Sequence, residues 1–153
     1  MAADPVESVR GEVLRRIVES GAFSLGQIQR ENTPAPGTLP YARLTIAQSA
    51  AWTPTSQEYL GKTIIAEIDI FTREMEQTQL AGSLASAVES AFGIYDRKSE
   101  KRTIPMPGWR GAFAVVTELS RGSATTESDK GLYRLPVMIY IRISLSKGAN
   151  YEI

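Results

Sequence analysis

Two acidic residues, Glu67 and Asp69, are the side chains of this sequence best placed to carry out chemistry together. They flank one apolar residue in a segment with the alternation of a strand, and alternate residues of a strand point to the same face. Two adjacent carboxylates could bind a metal ion or exchange protons with a substrate. No third ligand is near them in the sequence. The alternative is that they face solvent or meet an arginine of a neighbouring chain.

Other groups that commonly carry out catalysis are missing from the sequence. It contains no cysteine and no histidine, which removes thiolates, disulfides, the commonest general base and the commonest metal ligand. It has no glycine-rich phosphate-binding motif. Ser144-Leu145-Ser146-Lys147 matches the S-x-x-K pattern, but that motif needs its serine at the start of a helix, and this segment ends a predicted strand. The sequence therefore predicts a protein that is not an enzyme and has no catalytic residue, metal site or cofactor.

Loops rich in basic and aromatic residues are the next candidates for function. The segment 97–102, RKSEKR, could contact phosphates or an acidic partner, and the alternative is a solvated loop. A stiff Pro-rich loop with a tryptophan follows; it could dock on a partner at low entropic cost, or it could pack on its own chain. A polar connection occupies residues 121–131. The candidate partner-contact residues are Arg97, Lys98, Lys101, Arg102, Trp109, Arg121 and Lys130.

Composition indicates one ordinary globular domain over residues 1–153. Apolar residues make up 42% and charged residues 22% of the chain. Seventeen basic residues balance 17 acidic ones, so the net charge of zero indicates no general affinity for nucleic acids or membrane surfaces. The first residues lack the apolar core of a secretory signal, and no run approaches the roughly 18 apolar residues of a membrane span. We therefore expect no membrane partner and synthesis in a reducing cytoplasm.

Hydrophobic periodicity predicts two helices and about four strands. Asp4 and Pro5 start a helix that ends at Ser20-Gly21, and Thr72 caps a second helix that ends at Gly93. The strands are expected at residues 41–48, 62–71, 112–120 and 133–145. The fold class expected is α+β: a mostly antiparallel sheet of about four strands with two helices packed on one face, plus a long projecting hairpin.

The last predicted strand, YRLPVMIYIRISL at residues 133–145, is the most informative segment. Its odd positions are large and apolar, so one face belongs to a core. Thirteen residues span roughly 43 Å, which predicts that the strand reaches the edge of the domain or extends beyond it unless it is bent. Pro136 favours an edge position, a bulge or an early position in the strand. The even face mixes apolar and basic side chains, as interfaces do; the alternative is cover by the same chain. Candidate subunit-interface residues are Glu67, Asp69, Arg134, Met138, Tyr140 and Arg142.

The order of elements resembles a known family. The Pro-rich loop leads into LPYARLTI at residues 39–46, a strand ends in IDIF at 68–71, and a helix carries LAGSLASAV at 80–88. An alternating strand lies near the C-terminus. This layout resembles the tail terminator (tail completion) proteins of long-tailed bacteriophages and related gene-transfer particles. The segments 94–111 and 121–131 are longer than in the shorter members, which leaves open which end of a ring they serve.

The resemblance implies a structural virion protein without catalytic residues. It implies a ring of six copies that caps the tail tube, stops its polymerisation and joins the tail to the head connector. The implied partners are further copies, the tail tube protein, a head connector or stopper protein, and passively the DNA in the channel. The implied location is the neck region of the virion tail. Within such a ring, Arg134 and Arg142 could pair with Glu67 and Asp69 across subunits.

Other readings of the sequence remain open. The chain could be another neck protein, such as a head-completion or stopper (adaptor) protein, which would also form a ring. It could instead be a small ligand-binding or enzymatic α+β domain, which a pocket lined by convergent polar groups or a bound metal would favour. A structural protein without any viral link is the last alternative.

Overall fold

The structure is a computed structural model that describes residues 4–31, 33–48, 52–73, 78–93, 100–127 and 129–151. It contains two helices, α1 (Pro5–Glu19) and α2 (Thr78–Ala91). The strands are β1 (Ile28–Gln29), β2 (Tyr41–Gln48), β3 (Thr53–Pro54), β4 (Tyr59–Arg73), β5 (Thr103–Ile104), β6 (Trp109–Arg121), β7 (Thr125–Glu127) and β8 (Leu132–Tyr151). Short 3₁₀ turns cover Leu25–Gln27 and Glu100–Arg102. Among these residues, no helix combines the length and apolar character needed to cross a bilayer.

Helix α1 confirms the boundaries predicted from its capping residues. The side chain of Asp4 accepts a hydrogen bond of 2.8 Å from the backbone N–H of Val6, and Pro5 occupies the first turn. Gly21 has a φ of 79°, so the chain leaves the helix through a conformation that glycine adopts without strain. The apolar stripe of the helix is buried against the sheet at Val6, Val9, Val13 and Ile17.

Helix α2 starts later than its predicted cap. Thr72 is fully buried within β4 and does not begin the helix. The reason is that β4 pairs with β8 without interruption as far as Arg73, and a long ladder of backbone hydrogen bonds outweighs one capping side chain. Glu74 and Glu76, which follow Thr72 in the sequence and would suit the first turn of a helix capped there, lie outside the described residues.

The predicted fold class was wrong in the number and arrangement of the strands. The sheet is mixed and has eight strands, in the order β1-β2-β4-β8-β6-β5, with β3 beside β4 and β7 beside β8. The β1–β2 pair is parallel, and the other pairs are antiparallel. Four of the strands have only two or three residues, and such short pieces carry too little periodicity to be recognised in a sequence. The long strands β4 and β8 form the middle of the sheet.

The described segments also contradict the expected projecting hairpin. Of the three positions expected for Pro136, they show the early one, near the start of a central strand. Strand β8 has 20 residues and lies between β4 and β6. The connection after β6 folds back, because β7 pairs with residues 132–134 of β8. Pro136 is tolerated in a central strand because the neighbour changes there: β6 ends opposite Val137, and β7 begins opposite Arg134. The backbone N–H of Gly122 still donates to the carbonyl of Pro136 at 3.0 Å.

The core lies between the two helices and one face of the sheet. Even positions of β4 and odd positions of β8 alternate with partly exposed neighbours, as a sheet covered on one side requires. The sheet contributes the fully buried side chains of Ile64, Ile68, Ile70, Val137, Ile139, Ile141 and Ile143. The odd-position prediction for the last strand is therefore confirmed at its centre, with Tyr133 and Leu145 at the margin of the core.

Candidate interaction surface

The second face of the sheet, here called the open face, carries the candidate interface residues. Both described helices pack against the opposite face, so the open face has no second layer among the described residues. Strand register places side chains of β2, β4, β8 and β6 next to one another across it. The open face divides into two halves with different chemistry. The two halves together carry Tyr41, Arg43, Ile65, Glu67, Asp69, Phe71, Phe113, Val115, Glu118, Arg134, Met138, Tyr140 and Arg142.

One half is an ion network centred on Asp69. Nη2 of Arg43 lies 3.0 Å from one carboxylate oxygen of Asp69, and Nη2 of Arg134 lies 2.8 Å from the other. The same nitrogen of Arg134 lies 3.8 Å from the carboxylate of Glu67. Asp69 has no exposed surface even though no helix covers it. Two arginines and two carboxylates balance, so this half of the open face satisfies its own charges.

Aromatic side chains pack beside the ion network. Tyr41 stacks on Phe71 with ring centroids 4.8 Å apart, and the guanidinium of Arg43 lies 5.3 Å from the centre of the Phe71 ring. Arg43 therefore has a cation–π contact as well as its ion pair with Asp69 on the adjacent strand. The network is therefore fixed by packing as well as by charge.

The electrostatics of the carboxylate pair follow from its burial. Loss of solvent raises the pKa of Glu67 above its usual range, and the negative charge of Asp69 raises it further, while Arg134 opposes both. Oδ1 of Asp69 is close to Arg134 in distance but makes no well-directed hydrogen bond, and Nε of Arg134 has none either. Among the described residues, no three His, Cys, Asp or Glu side chains converge to hold a metal ion. The pair is thus held by arginines within its own chain.

The other half, here called the apolar patch, consists of Ile65, Phe113, Val115, Met138 and Tyr140. Phe113 is 56% exposed and Val115 is 42% exposed, which is unusual for such large apolar side chains in the middle of a strand. Ile65, Met138 and Tyr140 are half-buried. The ring of Tyr59 lies beside Phe113, with centroids 6.4 Å apart.

Arg142 borders the apolar patch and keeps its charge uncompensated. Its Nη1 donates a hydrogen bond of 3.1 Å to the hydroxyl of Thr63, and it makes no salt bridge with the described residues. Its guanidinium lies over Gly61, where an added Cβ would come within 2.2 Å of Nη2. The expected pairing of Arg134 with Glu67 and Asp69 therefore occurs inside one chain, while Arg142 meets neither carboxylate.

The candidate partner-contact loops are largely occupied by contacts within the chain. Nε1 of Trp109 donates to the hydroxyl of Ser8 at 3.1 Å, and its ring meets Tyr151 edge-on at 5.7 Å. Arg121 binds Glu89 of α2 at 2.6 Å, and Nε of Arg102 donates to the carbonyl of Gly93 at 3.0 Å. These side chains hold the domain together, as the alternative interpretation of Trp109 expected.

Of the four remaining loop candidates, two lie among the described residues and two do not. Lys130 is exposed and lies 3.6 Å from Glu127, and Lys101 is also exposed. Arg97 and Lys98 lie outside the described residues. The described part of the basic segment therefore supplies one exposed cation, Lys101, within the 3₁₀ turn Glu100–Arg102.

One groove in the described structure bears on the enzymatic alternative. It has a volume of about 680 Å³ and lies between the C-terminal ends of the two helices and residues 100–105. Its basic side chains are already engaged: Arg15 binds Glu12 and Glu19, and Arg16 donates to the carbonyls of Lys101 and Thr103. Both arginines of this groove are therefore engaged by other groups of the chain.

Sequence reasoning missed seven of the thirteen open-face residues named above, among them Arg43, Phe113 and Val115. For the last two a signal existed, because Phe113, Ala114, Val115 and Val116 make one strand apolar on both faces. Such a strand is expected to be covered on both sides. Arg43 carried no comparable signal, since only the register of β2 against β4 places it opposite Asp69.

Comparisons with known proteins identify the fold. No protein-family model and no curated protein matches the sequence. One solved structure of a protein without a stated function matches with a TM-score of 0.63 and 13% identity over 92% of this chain and 96% of its own. A chain of the virion of a native gene transfer agent particle matches with a TM-score of 0.58 and 13% identity, over 94% of this chain and 99% of its own. This chain therefore shares its whole fold with a component of a phage-like particle.

Proposed function

We propose that this chain is a structural protein of a phage-like virion and that it acts there as the tail terminator. The supporting observation is the likeness to the gene transfer agent virion, which extends over 94% of this chain and 99% of the other. A likeness of full length on both sides points to a protein with the same architecture rather than to a borrowed motif. In this role the chain would be neither an enzyme nor a membrane protein.

The proposed assembly is a ring of six copies on the last layer of the tail tube. A terminator needs two different surfaces. One resembles the surface by which a tube subunit docks on the tube, and the other cannot bind a further tube subunit. Copies joined head to tail form a closed ring only when the rotation from one copy to the next completes a full turn after a whole number of copies. The proposed partners are the tail tube protein on one side and the head connector or stopper protein on the other, with DNA passing through the channel in the neck of the virion.

The open face supplies a surface suited to such contacts. Its apolar patch exposes Phe113 and Val115, and the adjoining Arg142 lacks a carboxylate among the described residues. Exposed aromatic side chains beside an arginine are the composition that protein interfaces favour over ordinary surface. In the particle, we assign this patch to a contact with a neighbouring virion chain.

Deleting the reading frame from the phage or gene-transfer element that encodes it tests the proposal. A terminator should leave tailless heads together with tubes of uncontrolled length in electron micrographs. Tails of normal length that are not joined to heads would instead indicate a head-completion or stopper protein. Complete particles in normal number would refute a structural role in the virion.

A test with purified components isolates the capping step. The full chain is added while the tail tube protein of the same particle polymerises, and tube lengths are measured by electron microscopy. We expect tubes to shorten as the chain is added, and Arg142→Glu to weaken this effect. Leu25→Asp is a matched control, because Leu25 is 50% exposed but lies outside the open face. Tube lengths that do not respond to the chain would contradict capping.

A further inference from the structure

One oxygen of the buried Asp69 carboxylate has no hydrogen-bond donor among the described residues. Asp69 has no exposed surface, and its Oδ2 accepts hydrogen bonds of 3.0 and 3.3 Å from the guanidinium of Arg43. Its Oδ1 lies 2.8 Å from Nη2 of Arg134, but that contact is not directed as a hydrogen bond. A buried polar atom without a partner costs free energy, so this oxygen calls for a donor.

Glu67 is the side chain placed to supply the missing donor. It lies two residues before Asp69 on β4, so the two side chains point to the same face of the sheet. The residues directly opposite Glu67 are Thr45 of β2 and Met138 of β8, and neither carries a charge. Two ionised carboxylates have only acceptors, whereas a carboxyl group that keeps its proton has one O–H donor.

We infer that Glu67 and Asp69 form a proton-binding pair, in which one proton from solvent resides on Glu67 and is donated in a hydrogen bond to Oδ1 of Asp69. The ion network of two arginines and two carboxylates is neutral without this proton and carries a single positive charge with it. The pair therefore makes the charge of this half of the open face depend on pH.

The charged and titratable groups around Glu67 agree with this assignment. Asp69 lies on the same strand, Arg43 faces the pair from β2, and Arg134 and Tyr140 lie on β8. Burial raises the pKa of Glu67 most, the charge of Asp69 raises it further and Arg134 lowers it. A hydrogen bond with Asp69 raises this pKa again, and Arg43 opposes it. Two guanidinium groups beside the pair repel a metal dication more strongly than a single proton.

Carbon-13 NMR of the side-chain carboxyl groups of the full-length chain, recorded from acidic to neutral pH, tests the inference. We expect Cδ of Glu67 to titrate with a midpoint above its ordinary value of 4.5. Cγ of Asp69 should move at the same midpoint, because the two carboxyl groups share the proton. Nε of Arg134, which is buried without a partner in the described structure, should shift there too as the charge beside it changes.

Two variants separate a shared proton from a carboxyl group that titrates alone. Glu67→Gln keeps an N–H donor for Oδ1 of Asp69 but cannot titrate, so the step in the Asp69 signal should disappear. Asp69→Asn removes the neighbouring negative charge, so the Glu67 midpoint should fall below its wild-type value. Glu118→Gln changes an exposed carboxyl group on the same face and should leave both signals unchanged.

Several outcomes would overturn the inference. A Glu67 midpoint at or below its ordinary value excludes tight binding of the proton. An Asp69 signal that stays constant through the Glu67 midpoint, or a step that persists in Glu67→Gln, excludes sharing between the two groups. If Asp69→Asn fails to fold by circular dichroism, the wild type and Glu67→Gln still decide the question. The inference concerns the single chain and does not rest on the proposed function.

Discussion

The two halves of the open face use the same kinds of side chain in opposite ways. In the ion network, Arg43 and Arg134 are paired with Asp69 and Glu67, and aromatic rings pack on one another. Around the apolar patch, Arg142 pairs with no carboxylate of the described residues, and the ring of Phe113 is more than half exposed. At one end of the open face the described side chains are therefore paired with one another, whereas at the other end they remain available for contacts with another chain.

The contrast between the ion network and the apolar patch separates residues expected to stabilise the fold from residues expected to contact other chains. Residues of the ion network are satisfied within the chain, so changing them should alter the free energy of unfolding. Residues of the apolar patch are exposed, so changing them should alter contacts with other chains and leave unfolding almost unchanged. The following changes test this separation, in order of decreasing effect on stability.

Removing the buried carboxylate at the centre of the ion network should have the largest effect. Asp69→Ala leaves Arg43 and Arg134 without their main partner, and because both arginines are partly exposed we expect a loss of about 1–3 kcal/mol of unfolding free energy. Urea denaturation followed by circular dichroism measures the loss. The control is Glu118→Ala on the same face, which should stay within about 0.5 kcal/mol because Glu118 is exposed. Equal losses in the two variants would contradict the comparison.

The raised pKa of Glu67 predicts a pH dependence of stability inside the network. Burial raises this pKa above its ordinary value of 4.5, so the folded chain binds the proton more tightly than the unfolded chain does. The contribution of Glu67 to stability is therefore present below the unfolded pKa and is lost as the pH rises through the folded pKa. Urea midpoints measured from mildly acidic to neutral pH should show this loss, and Glu67→Gln should remove it.

Glu12 in helix α1 provides a control of opposite sign. Hydrogen bonds and charge from Arg15 lower the pKa of Glu12, against the effect of its burial. Its contribution is therefore present above the unfolded pKa and is lost as the pH falls through the folded pKa. Glu12→Gln should reduce stability at neutral pH and flatten the acid limb. The same pH response in both variants would show that the environment of Glu67 has been misassigned.

A small change next to the apolar patch should move Arg142 with little effect on stability. Gly61→Ala places a Cβ where the guanidinium now lies, and the end of a flexible side chain can move aside. We expect the unfolding free energy to change by less than about 1 kcal/mol. We expect the hydrogen bond to Thr63 to be lost, which NMR of the Arg142 side chain can detect. Thr63→Val, which removes the acceptor without crowding, separates the two causes.

An exposed ion pair away from both halves should have the smallest effect. Lys130 and Glu127 are 3.6 Å apart and largely exposed, and such pairs contribute about 0–1 kcal/mol. Lys130→Ala should therefore change the urea midpoint by little more than experimental error, and added salt should remove what remains. A loss comparable to that of Asp69→Ala would mean that the connection between β6 and β8 is more tightly held than its exposure indicates.

The sequence by itself determined the elements whose signals are local. Asp4 and Pro5 define the start of α1, because capping and fixed φ act within one turn. Alternation in residues 133–145 determined which side of β8 is buried, because a strand has only two faces. The sequence contains no histidine and no cysteine, which excluded thiolates, disulfides and histidine as a general base or metal ligand before any fold was known.

Only the tertiary structure decided which strands are neighbours and which charges meet. The four shortest strands exist because longer ones offer them backbone partners, so their own residues carry little signal. Arg134 and Arg142 look equivalent in the sequence, yet the register of β8 against β4 gives two carboxylates to the first and Gly61 with Thr63 to the second. Register is a relation between distant segments, and no single segment can encode it alone.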